Sequence, residues 1–215
     1  MDISVVPVTP FQQNCSVLRC SSTGAGAIVD PGGDLDRILE AIRALKATPE
    51  KIFLTHGHLD HAGGAAALAR RLGVPVEGPH REDRFLLDAL PRQGARYGFR
   101  EVEACMPDRW LQEGEELRFG ECRLEVIHCP GHTPGHIVFF NPSARFCLVG
   151  DVIFNGSVGR SDLPRGDHGT LVDSIRNKLF PLGDDITFFP GHGTTSTFGW
   201  ERKCNPYVAD LMFED

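Results

Sequence analysis

The sequence predicts an α/β fold of two β-sheets with helices packed outside them. Three observations predict it. Short runs rich in Val, Ile and Phe recur along the chain, bounded by Gly, Pro or Asn as strands are. Fewer stretches carry apolar residues at helical spacing. A length of 215 residues, 41% of them hydrophobic, suffices to bury one sizeable core. Sheets bury one face on each other and the other under helices.

Taken in order, Ile3–Val8, Cys15–Cys20 and Gly26–Asp30 read as the first strands. Asp34 is placed to cap a helix whose apolar stripe is Leu35, Ile38, Leu39, Ile42 and Leu45. Lys51–Thr55 is a strand, Ala62–Leu72 an Ala-rich helix stopped by Gly73, and Val74–Gly78 another strand. Residues 79–109 fit poorly: they carry charge, Pro91, Gly94 and Gly98, with Phe85, Tyr97 and Phe99 scattered among them. Two readings stay open there, a lid or insertion overhanging a site and a solvated excursion. Leu117–Phe119, Arg123–His128, Ile137–Phe140 and Phe146–Val149 read as strands. Asp167 or Thr170 opens a helix with Leu171, Ile175 and Leu179 on one face, and Ile186–Phe189 is the last strand. The expectation is one domain over 1–215.

Composition narrows the function. The net charge is −7, the pI about 5.7 and the mean hydropathy −0.17. An acidic surface repels phosphate backbones, which argues against nucleic acid. No stretch approaches the roughly 18 apolar residues of a spanning helix, so no membrane partner is expected. No basic, apolar leader opens the chain, and Asp2, Gln12, Gln13 and Asn14 interrupt its first residues. Cys15, Cys20, Cys105, Cys122, Cys129, Cys147 and Cys204 form no C-x-x-C pair, as expected of small buried residues in a reducing cytoplasm.

The chemical signal is Thr55-His56-Gly57-His58-Leu59-Asp60-His61. It follows the buried pattern Ile52-Phe53-Leu54. Residues two apart in extended chain point the same way, so His56 and His58 converge on one ion. A turn through Leu59 carries Asp60 and His61 toward a second. Downstream, Pro130-Gly131-His132, Gly150-Asp151 and Pro190-Gly191-His192-Gly193 each follow a strand. Imidazole and carboxylate are the usual ligands of zinc and its neighbours. A lone His at a strand end is commonly structural. Four ligand-type residues in six positions rarely arise as surface polarity.

These motifs resemble the metallo-β-lactamase superfamily from about Val5 to His192. The resemblance implies a four-layer αββα sandwich with the site at one edge of the two sheets. It implies His56, His58 and His132 at one metal, Asp60, His61 and His192 at a second, and Asp151 as the bridging carboxylate. The cofactor implied is a pair of divalent ions, zinc first, with iron or manganese also suited to such donors.

Within the superfamily, Asp60 with the acidic Asp151 resembles glyoxalase II, whereas the drug-hydrolysing β-lactamases place Cys at the bridge position. His128–His136, Gly150–Phe154 and Gly156–Arg160 carry the same likeness, and Asp30-Pro31-Gly32-Gly33, Gly159-Arg160-Ser161-Asp162 and Asn205-Pro206 resemble its short bacterial relatives. The implied reaction is hydrolysis of a small-molecule thioester, a glutathione conjugate such as lactoylglutathione. Asp60 and Asp151 would act through a hydroxide shared by the ions. Arg160 matches a basic position that contacts glutathione. A structural Arg160 paired with Asp162 is the competing reading. About twenty residues follow His192, too few for the helical domain that supplies much of the glutathione site in glyoxalase II, and Asp162 and Thr194 lie where that enzyme presents tyrosines.

Two rivals come from other classes. Persulfide dioxygenase, on the same fold, uses one iron that His56, His132 and Asp151 could hold, and oxygen uptake with glutathione persulfide would reveal it. A catalytically silent binding module should have lost ligands, and this sequence keeps the set. His136 is expected beside a ligand or in a structural role. His128 and Cys129 should pack at a strand end, while His80 and His168 should lie at the surface or cap turns. Asp30 either orients a ligand imidazole through its free N–H or serves the turn in Asp-Pro-Gly-Gly.

Overall fold

The computed structural model describes residues 1–99 and 102–212. One sheet holds β1 (Asp2–Val8), β2 (Gln13–Arg19), β3 (Ala25–Val29), β4 (Thr48–Phe53) and β5 (Val76–Glu77), in that order across the sheet. The first three pair antiparallel, while β3, β4 and β5 run parallel. The other sheet holds β6 (Glu116–Phe119), β7 (Cys122–His128), β8 (Ile137–Asn141), β9 (Phe146–Gly150), β12 (Thr187–Pro190) and β13 (Ser196–Thr197), in the order β13-β12-β9-β8-β7-β6. Its one parallel pair is β9 with β12. A short hairpin of β10 (Ile153–Phe154) and β11 (Ser157–Val158) stands apart.

The strand sequences dictate the layers. In β8 and β9 every residue is buried. Ile137, Phe139, Phe146 and Leu148 join the core between the sheets, with Leu18 and Phe53 from the first sheet. Their neighbours Val138, Phe140, Cys147 and Val149 face the other way, toward Leu171, Ile175 and Phe198. Period-two alternation with both phases apolar buries a strand on both faces. On the first sheet, Val17, Ile28 and Ile52 pack against Ile38, Leu39 and Leu68 of its covering helices. The result is the expected αββα sandwich. α1 (Leu35–Leu45) and α3 (Ala65–Leu72) cover one side, α5 (His168–Ser174) and α6 (Phe198–Cys204) the other.

Local structure departs from the sequence reading in three places. Asp34 stands at the start of α1, but in left-handed backbone (φ 48°) and without capping it. Its carboxylate accepts instead from Thr9 N at 2.7 Å, tying the β1–β2 turn to the helix. The helix expected at Ala62–Leu72 is divided into α2 (Leu59–Ala62) and α3, parted at Gly63-Gly64. There the Pro31–Gly33 backbone crosses closely, Gly64 N donating to Pro31 O. Third, the charged segment before β6 contains a 14-residue helix, α4 (Arg84–Tyr97), with Pro91 inside it. Residues 100 and 101 of that segment lie outside the described residues. Asp167 does cap α5, its Oδ1 accepting from Thr170 N at 2.7 Å. No helix among the described residues is long and apolar enough to cross a membrane.

Candidate metal centre

The polar groups singled out in the sequence follow the C-terminal ends of β4, β7, β9 and β12. Hydrogen bonding fixes which ring nitrogen His56, His61 and His132 leave free. Asp30, just beyond β3, accepts from Thr55 N (2.7 Å) and Thr55 Oγ1 (2.6 Å). Thr55 Oγ1 in turn lies 3.0 Å from His56 Nδ1, and Asp30 Oδ2 lies 2.9 Å from His61 Nδ1. With those Nδ1 atoms donating, the Nε2 atoms of His56 and His61 carry the lone pairs. His132 Nδ1 donates to Arg160 O at 2.7 Å, freeing its Nε2, which lies 2.9 Å from His58 Nδ1.

Two donor groups result. His56, His58 and His132 bring their ligand atoms within 4.8 Å of one another, and so do Asp60, His61 and His192. Asp151 stands between them. Its Oδ1 is 3.2 Å from His61 Nε2, and its Oδ2 is 3.7 Å from His132 Nε2 and 3.6 Å from His192 Nε2. Asp60 Oδ2 is 3.1 Å from His192 Nε2. His56 Nε2, His61 Nε2 and Asp151 Oδ1 are buried without a hydrogen bond of good geometry. Polar atoms stranded this way cost about 1–3 kcal/mol each, and a cation relieves that cost at once. The residues therefore fit divalent metal ions, as donor chemistry and as an unmet electrostatic demand.

The charges agree. Burial pushes the pKa of His56 well below the ordinary histidine value, and burial with the neighbouring His132 brings His58 down to about 3. Burial also lowers His132. Neutral imidazole is the ligating form. For His61 burial opposes the charge, but Asp151, Asp60 and Asp30 outweigh it and raise the pKa. Burial would raise Asp151, yet His61, His132 and His192 hold its carboxyl well below the usual range.

Three further residues brace the centre. His136, fully buried, accepts from Asp151 N at 3.0 Å through Nε2 and stacks on His56 at 4.6 Å. Gln13, fully buried beside His61, pairs through its backbone with His192. Asp83, at the start of α4, accepts from Gly57 N (2.9 Å), Gly135 N (2.6 Å) and Thr133 Oγ1 (2.8 Å). It pins the loop of His56 and His58 to the loop of His132, and burial pushes its carboxyl up to about 6 against those donors. Sequence reasoning missed Gln13 and Asp83. Glu82-Asp83-Arg84 reads as exposed charge, and the one local cue is the apolar run that follows it.

Glycine is required where loops meet. A Cβ on Gly191 would overlap Asp151 Oδ1, and one on Gly32 would overlap the Asp60 carbonyl. A cleft of about 760 Å³ opens over Asp60, His132, Asp151 and His192. Apolar walls come from Phe85 and Ala89 on α4 and from Phe154 and Val158 on the small hairpin. Arg160 lines this cleft, its guanidinium paired with both Asp162 oxygens at 2.8 and 2.9 Å. Away from the cleft, His80, Glu82 and His128 form another group of ligand-type atoms, with His128 Nε2 donating to Pro134 O at 2.8 Å. His168 sits at the surface beside Ser161.

Known proteins resemble this chain in sequence and fold. The profile of the metallo-beta-lactamase superfamily matches residues 8–192. The hydroxyacylglutathione hydrolase GloC of Haemophilus influenzae is 46% identical over 97% of this chain and 98% of its own length. Among solved structures, the BLEG-1 B3 metallo-beta-lactamase superposes with a TM-score of 0.88 at 33% identity, over 96% of this chain and 99% of that one. TTHA1623 in a di-iron-bound form gives 0.86 at 33% identity, over 95% and 100%.

Proposed function

The chain belongs to the metallo-beta-lactamase superfamily, and from that premise we propose that this metallo-hydrolase cleaves hydroxyacylglutathione thioesters, with lactoylglutathione yielding lactate and glutathione. The observation that carries the reading is the end-to-end likeness to GloC, at 46% identity. His56, His58 and His132 would hold one ion and Asp60, His61 and His192 another, with Asp151 shared. When bound, the ions supply Lewis acidity, which lowers the pKa of water and polarises a carbonyl. Zinc is the first occupant to test, and the di-iron form of TTHA1623 makes iron the second.

The chain's own groups do the remaining work. Phe85, Ala89, Phe154 and Val158 flank the acyl group with apolar surface and thin the water around it. Water adds to the thioester carbonyl carbon, the C–S bond breaks, and sulfur leaves with that bond's electron pair. Asp60 lines the cleft beside His192, its Oδ2 3.1 Å from His192 Nε2, so it would fix the position of the attacking water through the ion it helps to hold; the proton that water gives up ends on the departing sulfur, giving free thiol. Thiolate leaves readily because its conjugate acid has a pKa near 8.5, roughly.

The test is lactoylglutathione hydrolysis by metal-reconstituted protein, followed by loss of thioester and appearance of free thiol. The expected kcat/KM is at least about 10⁴ M⁻¹s⁻¹, abolished by a chelator and restored by the metal. Turnover no faster than buffer would overturn the reading. So would oxygen uptake on glutathione persulfide in place of thioester cleavage.

A further inference from the structure

We propose that Arg92 and Arg96 of α4 bind carboxylates of the substrate's thiol half, so that this helix selects an anionic thiol carrier. The inference rests on reading the cleft as a thioester site. Phe85, Ala89, Arg92 and Arg96 all line that cleft, and their spacing of four, three and four places them on one helical face. The face changes character along its length. Its first turns offer an aromatic ring, with the Arg165 guanidinium 4.3 Å from its centroid, and a methyl group. Its later turns offer two guanidinium groups about 6 Å apart along the axis, with Arg92 about 10 Å beyond Phe85. An extended tripeptide spans roughly 10 Å, which matches that distance.

The later guanidinium groups are uncommitted. Neither Arg92 nor Arg96 has a carboxylate partner among the described residues, and Arg96 has only the Tyr97 ring, 5.8 Å from its Cζ. Arg160, which lines the same cleft, is held by Asp162, which chiefly raises its pKa, with a small contribution from Tyr97. The chain carries 29 acidic side chains against 22 basic ones. Two exposed cations at the rim of a largely apolar cleft, with no carboxylate partner among the described residues, form a local anion trap on such a molecule, and guanidinium is the group that pairs carboxylate through two parallel bonds.

The wall that bears them is anchored at both ends. At its start Asp83 grips the loops of His56 and His132. At its end Tyr97 packs edge-on against Phe11 with ring centroids 5.6 Å apart, and Phe99 stacks on Phe11 at 5.7 Å. The backbone that carries the two arginines is therefore held in one frame with the donor groups, which limits how far from a bound thioester the guanidinium groups can reach.

The experiment compares wild type with Arg92→Ala, Arg96→Ala and the double variant on two substrates, lactoylglutathione and the neutral lactoyl thioester of N-acetylcysteamine. Calorimetric binding of S-hexylglutathione provides a readout that needs no turnover. Each single change is expected to raise KM for lactoylglutathione about tenfold and the double change about a hundredfold, with kcat within about twofold. Turnover of the neutral thioester should stay the same, S-hexylglutathione affinity should fall in parallel, and Arg→Lys should recover part of the loss. An unchanged KM for lactoylglutathione, or equal losses on both thioesters, would overturn the assignment. A wild type that cleaves only the neutral thioester would also overturn it while leaving the reaction class standing. A wild type that cleaves neither, yet binds S-hexylglutathione through these arginines, would support the inference and sink the hydrolase reading.

Discussion

At the scale of single residues, the centre depends on a few carboxylates with distinct tasks. Asp151 faces histidines of both donor groups and offsets charge in each. Asp151→Ala should lower metal content per chain, read by elemental analysis. It should cost more affinity than the roughly 10–100-fold typical of losing an outer partner. A variant that keeps two ions and full activity would remove Asp151 from the centre. Asp83 touches neither donor group, yet it accepts from both loops that carry the first. Asp83→Ala strands two backbone N–H groups and a hydroxyl in the interior. We expect a loss of roughly 3 kcal/mol, with Asp83→Asn in between because only its amide oxygen still accepts. Thermal unfolding indistinguishable from wild type would show that Asp83 is not a latch.

At the scale of elements, the helices outside the sandwich do unequal work. α5 buttresses the His132 loop: Asp167 N donates to Gly131 O at 2.8 Å, and Ser174 Oγ donates to Pro130 O at 2.8 Å. Asp167→Ala removes the cap on Thr170 N and should cost about 1 kcal/mol, or roughly 2–4 °C in Tm. Lactoylglutathione kcat should stay near wild type, because the backbone contact to Gly131 survives; a large kcat loss at unchanged Tm would contradict that division. α4 explains why residues 79–109 resisted sequence reading. Its apolar positions split between two duties, Leu87 and Leu90 facing the first sheet's core while Phe85 and Ala89 face the cleft. Pro91 and Gly94 further obscure the helical pattern, although Gly94 fits because Val102 packs where its side chain would stand.

At the scale of the whole molecule, two sheets bring their strand ends to one edge, and metal should stabilise that edge as well as activate it. A ligand that binds only the native state at a hundred times its Kd adds about 2.7 kcal/mol. Stripping the protein with a chelator should therefore lower Tm by roughly 5–10 °C, with recovery on adding zinc or iron. An identical Tm with and without bound metal would mean that the donor groups are not a structural part of this edge. From sequence alone, the strands were legible because short runs rich in Val, Ile and Phe stand between turn residues, and β3, β8 and β9 are buried on both faces. His56, His58, Asp60 and His61 were legible as a group because one strand and one turn hold them within six positions. Only the tertiary structure could bring His132, Asp151 and His192 to them, since parallel pairing of β9 with β12 and the packing of two sheets set distances that no local spacing encodes. It alone decided which guanidinium groups have a carboxylate partner among the described residues: Arg160 pairs with Asp162, and Arg92, lining the same cleft, has none, because pairing depends on where side chains meet in space and not on the letter.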